Sequence, residues 1–407
     1  MSEFSRNVPL LATGQALMMS SLSLILTTSA LVGLSLAPDK SLATLPITFM
    51  FIAGMCTSIP AAMLMERIGR KQGFLFSTIF GISGGVAATF AIINQDFWLF
   101  AFSGVLIGMF NGFGNYYRFA AADAVETSLK SKAISTVLIG GVAAAVIGPN
   151  LANLTRESIT DAPFAGSYLS IIVVYALVFV ALAFIKLPAH ANRPHSEDSK
   201  KGRSLKEIAS QPKYIVALIC AMLGYGVMSF VMTATPLAMN HSAHSFSDTS
   251  WVIQWHVLGM YVPSFFTGHL INKFGVIKVM VVGALFGLAC MGTNLLGTSV
   301  THYWFALVLL GVGWNFLFIG GTTLLTETYR LEERGKAQAL NDFSIFTMVA
   351  ISSITAGALQ NLFGWQVINI AAIPFLVIIL LSLVWLSKQR HQEALVHETR
   401  LEEVPQE

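Results

Sequence analysis

Charged residues are scarce in this sequence. Asp, Glu, Lys and Arg together make up 11% of its 407 residues, whereas 55% are hydrophobic and the mean hydropathy is +0.68. A soluble domain typically carries about a quarter charged residues. The shortage of charge therefore argues against a soluble globular protein and indicates a polytopic membrane protein.

Cysteine is also rare, and the motifs of several enzyme classes are missing. Cys56, Cys220 and Cys290 lie far apart within apolar segments, so no disulfide framework is expected. The sequence has no Gly-x4-Gly-Lys-Ser/Thr phosphate loop, no HExxH motif and no Ser/His/Asp arrangement. We therefore expect neither direct use of ATP nor an enzyme, and hence no catalytic residues and no permanently bound cofactor. The net charge of +3 does not indicate nucleic-acid binding, because the basic residues lie at predicted membrane edges.

Long apolar runs divide the chain into twelve predicted membrane-spanning helices. At 1.5 Å per residue, about 17 residues are enough to cross most of a hydrocarbon core of about 30 Å. The runs of the first half cover 8–36, 44–65, 74–93, 97–121, 131–154 and 165–187. Those of the second half cover 212–240, 247–271, 276–297, 301–327, 336–361 and 364–387. The sequence thus predicts an all-α polytopic membrane protein made of an N-terminal bundle (1–187), a cytoplasmic linker (188–211), a C-terminal bundle (212–387) and a cytoplasmic polar tail (388–407).

Basic residues flank the predicted spans unevenly. Almost all of them fall on the side that holds both termini and the linker, and only Lys40 and Arg156 fall on the other side. Lys and Arg concentrate in the cytoplasmic loops of membrane proteins. We therefore expect a bacterial cytoplasmic (inner) membrane protein with both termini in the cytoplasm.

Two sequence patterns recur in the second half of the chain. The loop after span two reads Ala62-x3-Glu66-Arg67-x-Gly69-Arg70-Lys71, and the loop after span eight reads Gly268-x3-Asn272-Lys273-x-Gly275-x-x-Lys278. Likewise, the Leu-Ile-Gly-Met-Phe-Asn sequence at 106–111 is echoed by Leu-Gly-Val-Gly-Trp-Asn at 310–315. Two repeated halves around a linker are typical of transporters with a substrate path at the interface of the halves.

The first of these loops resembles the cytoplasmic loop signature of the major facilitator superfamily. It departs from that signature at Ala62, where the family usually has Gly, and at Glu66, where it usually has Asp. The resemblance implies twelve helices in two pseudo-symmetric six-helix bundles and transport by alternating access. The candidate gating residues are Glu66, Arg67, Gly69, Arg70, Lys71, Arg118 and Asp123. As alternatives, the loop charges only anchor the protein at the membrane, and Arg118 and Asp123 form a purely structural ion pair.

Two pairs of metal-capable side chains occur in adjacent spans. Met228 and Met232 in span seven, and His256 and Met260 in span eight, are each four residues apart and so share a helix face. Counted from the outer helix ends, Met232 is level with His256 and Met228 with Met260. Thioethers and imidazole suit a soft cation such as Cu(I). The pattern predicts a four-ligand metal site; the alternative is that the Met side chains pack and His256 bonds a neighbouring helix.

The MxxxM and HxxxM pairs resemble those of the CcoA-like copper importers, a bacterial branch of the superfamily. The resemblance implies copper import for cytochrome oxidase assembly, with copper as the transported substrate and Met228, Met232, His256 and Met260 as its ligands. Riboflavin importers are close relatives of this branch, so import of an organic solute such as riboflavin is the alternative. Proton-coupled efflux of small molecules is a second, broader alternative. The expected partners are a copper ion and the lipid bilayer, and we expect a monomer.

Further polar residues are candidates for the transport path. Met239, His241 and His244, between spans seven and eight, either hand a metal inward or form only a solvated loop. The candidates for lining the path are Gln15, Asn111, Asn115, Tyr117, Gln254, Trp314 and Asn315. Charged residues at the inner ends of spans ten and eleven suggest a cytoplasmic lock, made of Glu327, Arg330, Arg334 and Asp342.

Overall fold

The computed structural model describes residues 3–126, 129–186, 202–330 and 333–402, without the side chains of residues 3–6, 130, 131, 138, 391 and 393–402. The described residues form α-helices and a 3₁₀ turn (Lys40–Leu42), and these ranges contain no strand. The helices of the first half are α1 (Glu3–Leu36), α2 (Leu45–Ile68), α3 (Arg70–Ile93), α4 (Phe97–Gly114), α5 (Tyr117–Asp123), α6 (Lys130–Leu138), α7 (Gly140–Thr155) and α8 (Ala165–Ala183). Those that follow are α9 (Leu205–Ala209), α10 (Pro212–His241), α11 (Phe246–Tyr261), α12 (Ser264–Phe274), α13 (Val276–Leu296), α14 (Val300–Thr326) and α15 (Arg334–Glu402).

Ten helical stretches in the described part of the chain are long and apolar enough to cross a membrane. One of them, α15, turns at Gly364, where φ is 77°, and so accounts for two spans. Span eight is the pair α11 and α12, which Pro263 separates because proline cannot continue the hydrogen bonding of a helix. The twelve predicted spans are therefore present, and the all-α polytopic membrane fold is confirmed.

Two large hydrophobic cores lie side by side in the protein. One is formed almost entirely by α1–α8, and the other by α9–α15. The exceptions mark where the halves meet: Ala145 belongs to the second core, whereas Leu237 and Phe246 belong to the first. The exact domain boundaries stay a prediction. Residues 187–201 and 403–407 lie outside the described residues, and α15 makes the predicted tail helical as far as Glu402.

The two repeated loops turn with the same backbone geometry. Gly69 has φ 90° and ψ 149°, and Gly275 has φ 90° and ψ 148°. Their N–H groups donate to Met65 O at 3.0 Å and to Ile271 O at 2.9 Å. Only glycine adopts this positive φ without steric cost, because it lacks a Cβ. The sequence repeat is therefore also a structural repeat at these turns.

The contacts between the halves close one side of the protein. We define the linker side as the side on which α8 ends and α10 begins, and the far side as the opposite one. On the far side, Asn150 of α7 donates from Nδ2 to Gln254 Oε1 of α11 at 2.7 Å. There too, Phe164 packs edge-on against Phe246, with 5.0 Å between ring centroids. The central space is thus closed on the far side.

Towards the linker side, facing side chains of the two halves are exposed rather than packed together. Arg118 of α5 and Asp342 of α15 are both exposed, although they lie within electrostatic range of each other. Asn115, just before α5, is exposed as well. The structure is therefore closed on the far side and more open on the linker side.

Candidate functional site

A cavity lies between the two halves, near the middle of the long helices. Helices α1, α2 and α7 line it from the first half, and α10 and α11 line it from the second. The lining consists of Met19, Leu22, Ser23, Leu26, Phe51, Ala144, Tyr225, Met228, Ser229, Met232, Thr233, Val257, Met260 and Tyr261. A mostly apolar lining with a few polar groups is typical of sites for organic molecules.

Three of the four predicted metal ligands line this cavity. Met228 and Met232 reach it from α10, and Met260 reaches it from α11. Met19 of α1 adds a fourth thioether, which no sequence pattern had singled out. Thioether side chains from both halves of the protein therefore face one space.

His256 occupies a different environment. Its side chain is fully buried, it is not among the cavity-lining residues, and its Nδ1 lies 2.8 Å from Leu307 O on α14. Because a carbonyl oxygen only accepts, we assign the ring proton to Nδ1. Nε2 is buried and has no hydrogen-bond partner among the described residues. The imidazole thus bonds a neighbouring helix, as the alternative interpretation expected, and the four-ligand set stays a prediction.

The three residues proposed for metal entry do not share one loop surface. Met239 is fully buried in the core of the second half, so its predicted position in a solvated loop is wrong. His241 is exposed. His244 donates from Nε2 to Thr298 O at 2.6 Å, so this nitrogen is engaged in holding the loop against the start of α14. A metal relay through these three side chains therefore has no support in this arrangement.

An aromatic cluster supports the cavity wall. The ring of Trp314 lies 5.2 Å from Tyr225 and 6.4 Å from Tyr261, and it stacks on Phe318 at 4.9 Å with an interplanar angle of 8°. Tyr225 and Tyr261 line the cavity, whereas Trp314 lies behind them. Trp314 therefore supports the two tyrosines from behind. It does not line the cavity itself, contrary to what the sequence had suggested.

Asn315 is a helix-packing residue rather than a path-lining one. It is 1% exposed, and its Nδ2 donates to Met260 O at 2.7 Å and to Ser264 Oγ at 2.6 Å. Its Oδ1 accepts from the Thr267 hydroxyl at 2.6 Å. These bonds join α14 to both sides of the helix break at Pro263. The break needs such partners because the proline supplies no N–H to the helix.

Replacing Asn315 with Ala should destabilise the protein. The substitution removes the bonds to Ser264 and Thr267 and leaves the buried Met260 O without its amide partner, and an unsatisfied buried group costs roughly 1–3 kcal/mol. We expect a lower Tm of the detergent-purified protein, measured by thermal unfolding. Asn315→Asp keeps the acceptor atom but loses the amide donor, so its Tm should stay close to that of Asn315→Ala. A Tm equal to that of the wild type would show that these bonds do not hold the helix break.

The other predicted path residues lie outside the cavity lining. Tyr117 is fully buried in the core of the first half, with its ring 4.8 Å from Phe74, and its role in the path stays a prediction. Gln254 belongs to the far-side contact between the halves. Gln15 and Asn111 are half-buried, and Asn111 Oδ1 has no partner among the described residues.

Comparison with known proteins decides the family. A model of the Major Facilitator Superfamily matches residues 11–233 and, a second time, residues 217–405. The chain belongs to the major facilitator superfamily. It is therefore a membrane transporter. The first match extends from α1 into α10, and the second runs from α10 past the end of α15.

Three individual relatives of the chain were compared with it. The chain is 38% identical to riboflavin transporter RfnT of Brucella anthropi over 93% of this chain and 95% of the relative. It is 25% and 26% identical to two uncharacterized transporters of the superfamily from Bacillus subtilis, YddS and YdeG. These cover 91% and 83% of this chain. The expected place in the copper-importer branch is thus not confirmed, because the relative with a stated substrate is named for riboflavin.

The superfamily loop signature makes contacts with two neighbouring helices. Arg70 Nη1 lies 2.7 Å from Asp123 Oδ2, at the linker-side end of α5. Lys71 Nζ donates to Ala183 O at 2.6 Å, where α8 ends. The basic side chains of the loop thus bind groups on adjacent helices. Glu66 and Arg67 are exposed.

The predicted pairing of Arg118 with Asp123 is wrong. Asp123 pairs with Arg70 instead, and the Arg118 guanidinium lies over the Phe119 ring at 4.8 Å from its centroid. The sequence placed Arg118 and Asp123 on one helix five residues apart, whereas the packing of α3 against α5 brings Arg70 to the acid. A gating role for these residues stays a prediction.

The charges at the linker side of the second half form two separate groups. Glu327 Oε2 lies 2.6 Å from Arg390 Nη2 and 3.8 Å from Lys213 Nζ. These pairs join helices of one half, so they do not lock the two halves together. Of the remaining predicted lock residues, Asp342 is exposed towards the central opening.

The second group, around Glu333, was missed in the sequence. The carboxylate of Glu333 accepts hydrogen bonds from Arg203 N, Nε and Nη2 at 2.7–3.0 Å. These bonds lower the pKa of Glu333 to about 2. Arg203 lies within the predicted linker (188–211), so the pair fastens the linker to the loop between α14 and α15. No sequence pattern distinguishes Glu333 from its acidic neighbour Glu332.

Proposed function

We propose that this transporter carries an organic solute of the flavin type, such as riboflavin, through the central cavity. The observation that carries the proposal is the 38% identity to a riboflavin transporter, which extends over 93% of the chain and 95% of that transporter. This supports the organic-solute interpretation better than copper import.

The chemistry of the cavity supports the same proposal. A flavin presents a flat, fused aromatic ring with polar atoms along part of its edge and a hydroxylated side chain. Tyr225 and Tyr261 offer aromatic surfaces, and the methionine side chains offer flexible, polarisable contacts to a ring. The hydroxyl-bearing residues Ser23, Ser229 and Thr233 supply a small number of hydrogen-bonding groups. Such a lining matches a solute that is largely aromatic and only partly polar.

The direction of transport is part of the proposal. We assign the linker side to the cytoplasm of a bacterial inner membrane, because nearly all basic loop residues lie on that side. The structure is then closed towards the outside, by the Asn150–Gln254 bond and the Phe164–Phe246 contact. In this state a solute leaves the cavity towards the cytoplasm, as an importer requires.

Uptake of labelled riboflavin tests the proposed function. In a bacterial strain that lacks its own riboflavin uptake, expression of the wild-type protein should give saturable accumulation that excess unlabelled riboflavin abolishes. The matched control is the same strain carrying the vector alone. Accumulation no greater than in this control, with the protein present in the membrane, would contradict the proposal.

Copper import remains a second candidate because of one specific observation. Four thioethers, those of Met19, Met228, Met232 and Met260, line a single cavity, and thioethers are ligands that Cu(I) prefers. If copper is the substrate, cells with the wild-type protein should accumulate more copper than cells with Met228→Leu/Met260→Leu. Leucine keeps the size and apolar character of methionine, so the double variant should still fold. Equal copper content in the two strains would reject this candidate.

A further inference from the structure

The centre of α1 carries a series of hydroxyl side chains, one of which differs from the others. The hydroxyls of Ser20, Ser21, Thr27 and Thr28 each donate to the backbone carbonyl four residues earlier, at 2.7–3.3 Å. Ser23 Oγ is buried and has no hydrogen-bond partner among the described residues. The residue is only 4% exposed and lines the central cavity.

This arrangement is energetically unfavourable for the protein alone. A buried hydroxyl without a hydrogen bond retains the cost of its lost hydration, and the great majority of buried polar groups are therefore paired. A serine within a helix has a local solution, because it can donate to the carbonyl four residues earlier. Its neighbours on α1 use that solution, whereas the hydroxyl of Ser23, a residue that lines the cavity, makes no such bond.

We infer that Ser23 is a substrate-binding residue whose hydroxyl forms a hydrogen bond with a polar ring atom of the transported solute. The inference rests on the proposed function and adds a specific contact to it. A ring carbonyl, ring nitrogen or ring N–H of a heteroaromatic solute fits this role. A soft metal ion does not, because Cu(I) favours sulfur and nitrogen over a neutral hydroxyl oxygen.

Ser23 also places this contact on the half opposite to most of the aromatic surface. It belongs to α1 in the first half, whereas Tyr225 and Tyr261 belong to α10 and α11 in the second. A solute that binds Ser23 and rests against the tyrosines therefore contacts both halves at once. This is the geometry by which a solute can favour closure of the halves around itself.

Ser23→Ala tests the inference in purified protein reconstituted in liposomes, with labelled riboflavin as the probe. Loss of one hydrogen bond should raise the KM of transport roughly threefold to tenfold, while the maximal rate per protein molecule stays close to that of the wild type. The control is Ser20→Ala, which removes a hydroxyl from the same helix that bonds its own backbone. Its KM should equal that of the wild type.

Thermal unfolding without riboflavin provides the second readout. Ser23→Ala should keep or raise the Tm, because it removes a hydroxyl that lacks a protein partner; a hydroxyl with a structural bond would lower the Tm when removed. An unchanged KM in Ser23→Ala, or a lowered Tm, would overturn the inference while leaving the proposed function intact. Absence of riboflavin transport by the wild type would overturn both.

Discussion

Ser229→Trp should reduce transport by about a hundredfold or more, because an indole at this position occupies space that the solute needs. Ser229 lines the cavity from the middle of α10 and is 4% exposed. The added side chain extends into the cavity rather than into the packed core on the other face of the helix. Initial rates of labelled riboflavin uptake, normalised to the amount of protein in the membrane, measure the effect.

The control for this prediction is a tryptophan on the outer surface of the same helix. Ile215 of α10 is 39% exposed on the surface of the protein. Ile215→Trp adds the same indole to α10 away from the cavity and should leave uptake within about twofold of the wild type, since surface substitutions usually have small effects. Ser229→Trp with wild-type uptake would show that the solute does not pass through this cavity.

Cross-linking the two halves on the far side should stop transport almost completely. The side chains of Asn150 and Gln254 touch across the halves at 2.7 Å. In a background in which Cys56, Cys220 and Cys290 are replaced with Ser, the two thiols of Asn150→Cys/Gln254→Cys can be joined by a short bifunctional methanethiosulfonate, which displaces sulfinate and forms a reducible disulfide with each thiol. We expect uptake to fall by about a hundredfold and to recover after reduction, because a joined pair prevents the far side from opening to admit solute.

The single-cysteine variants, treated with the same reagent, distinguish the effect of the cross-link on uptake from the effect of modifying one thiol. Each carries one modified thiol and no link between the halves, so each should retain most of its uptake. If the cross-linked double variant transported as fast as the untreated one, opening of the far side would not be part of the cycle. The assignment of the Asn150–Gln254 contact to a closed gate would then be incorrect.

The sequence was sufficient for the fold because the forces that determine it act locally along the chain. A bilayer imposes apolar runs of a minimum length, and these runs locate the spans. Gly69 and Gly275 could be recognised as equivalent because both turns need the same positive φ, which restricts the residue type. The twelve spans and the repeated halves follow from such local requirements.

The cavity was only partly predictable, because it depends on how each helix is rotated about its own axis. Depth along the helix correctly grouped Met228, Met232 and Met260, which share one cavity. Depth does not fix rotation, and His256 instead bonds Leu307 O on α14. Met19 was missed because the contact between α1 and α10 joins residues more than 200 positions apart, and no periodicity in the sequence reports such a contact.

The polar residues show the same limitation. Asn315 and Tyr117 are polar side chains within apolar spans, a feature shared by path-lining and helix-joining residues alike. Their roles separate only when the partners are known: Asn315 holds the break at Pro263, and Tyr117 packs in the core of the first half. Ser23 could not be singled out in the sequence for a related reason. The neighbouring hydroxyls of α1 bond the backbone and the Ser23 hydroxyl does not, a difference that only the structure shows.

Direct binding of riboflavin to the purified protein is the sharpest test of a flavin site in the central cavity. Flavin fluorescence is quenched when the ring stacks against tyrosine or tryptophan, so titration of riboflavin with protein reports binding beside Tyr225 and Tyr261. We expect saturable quenching by the wild type, unchanged by added Cu(I), and its loss in Ser229→Trp but not in Ile215→Trp. Absence of quenching by the wild type, or equal quenching by Ser229→Trp, would contradict a flavin site in the central cavity.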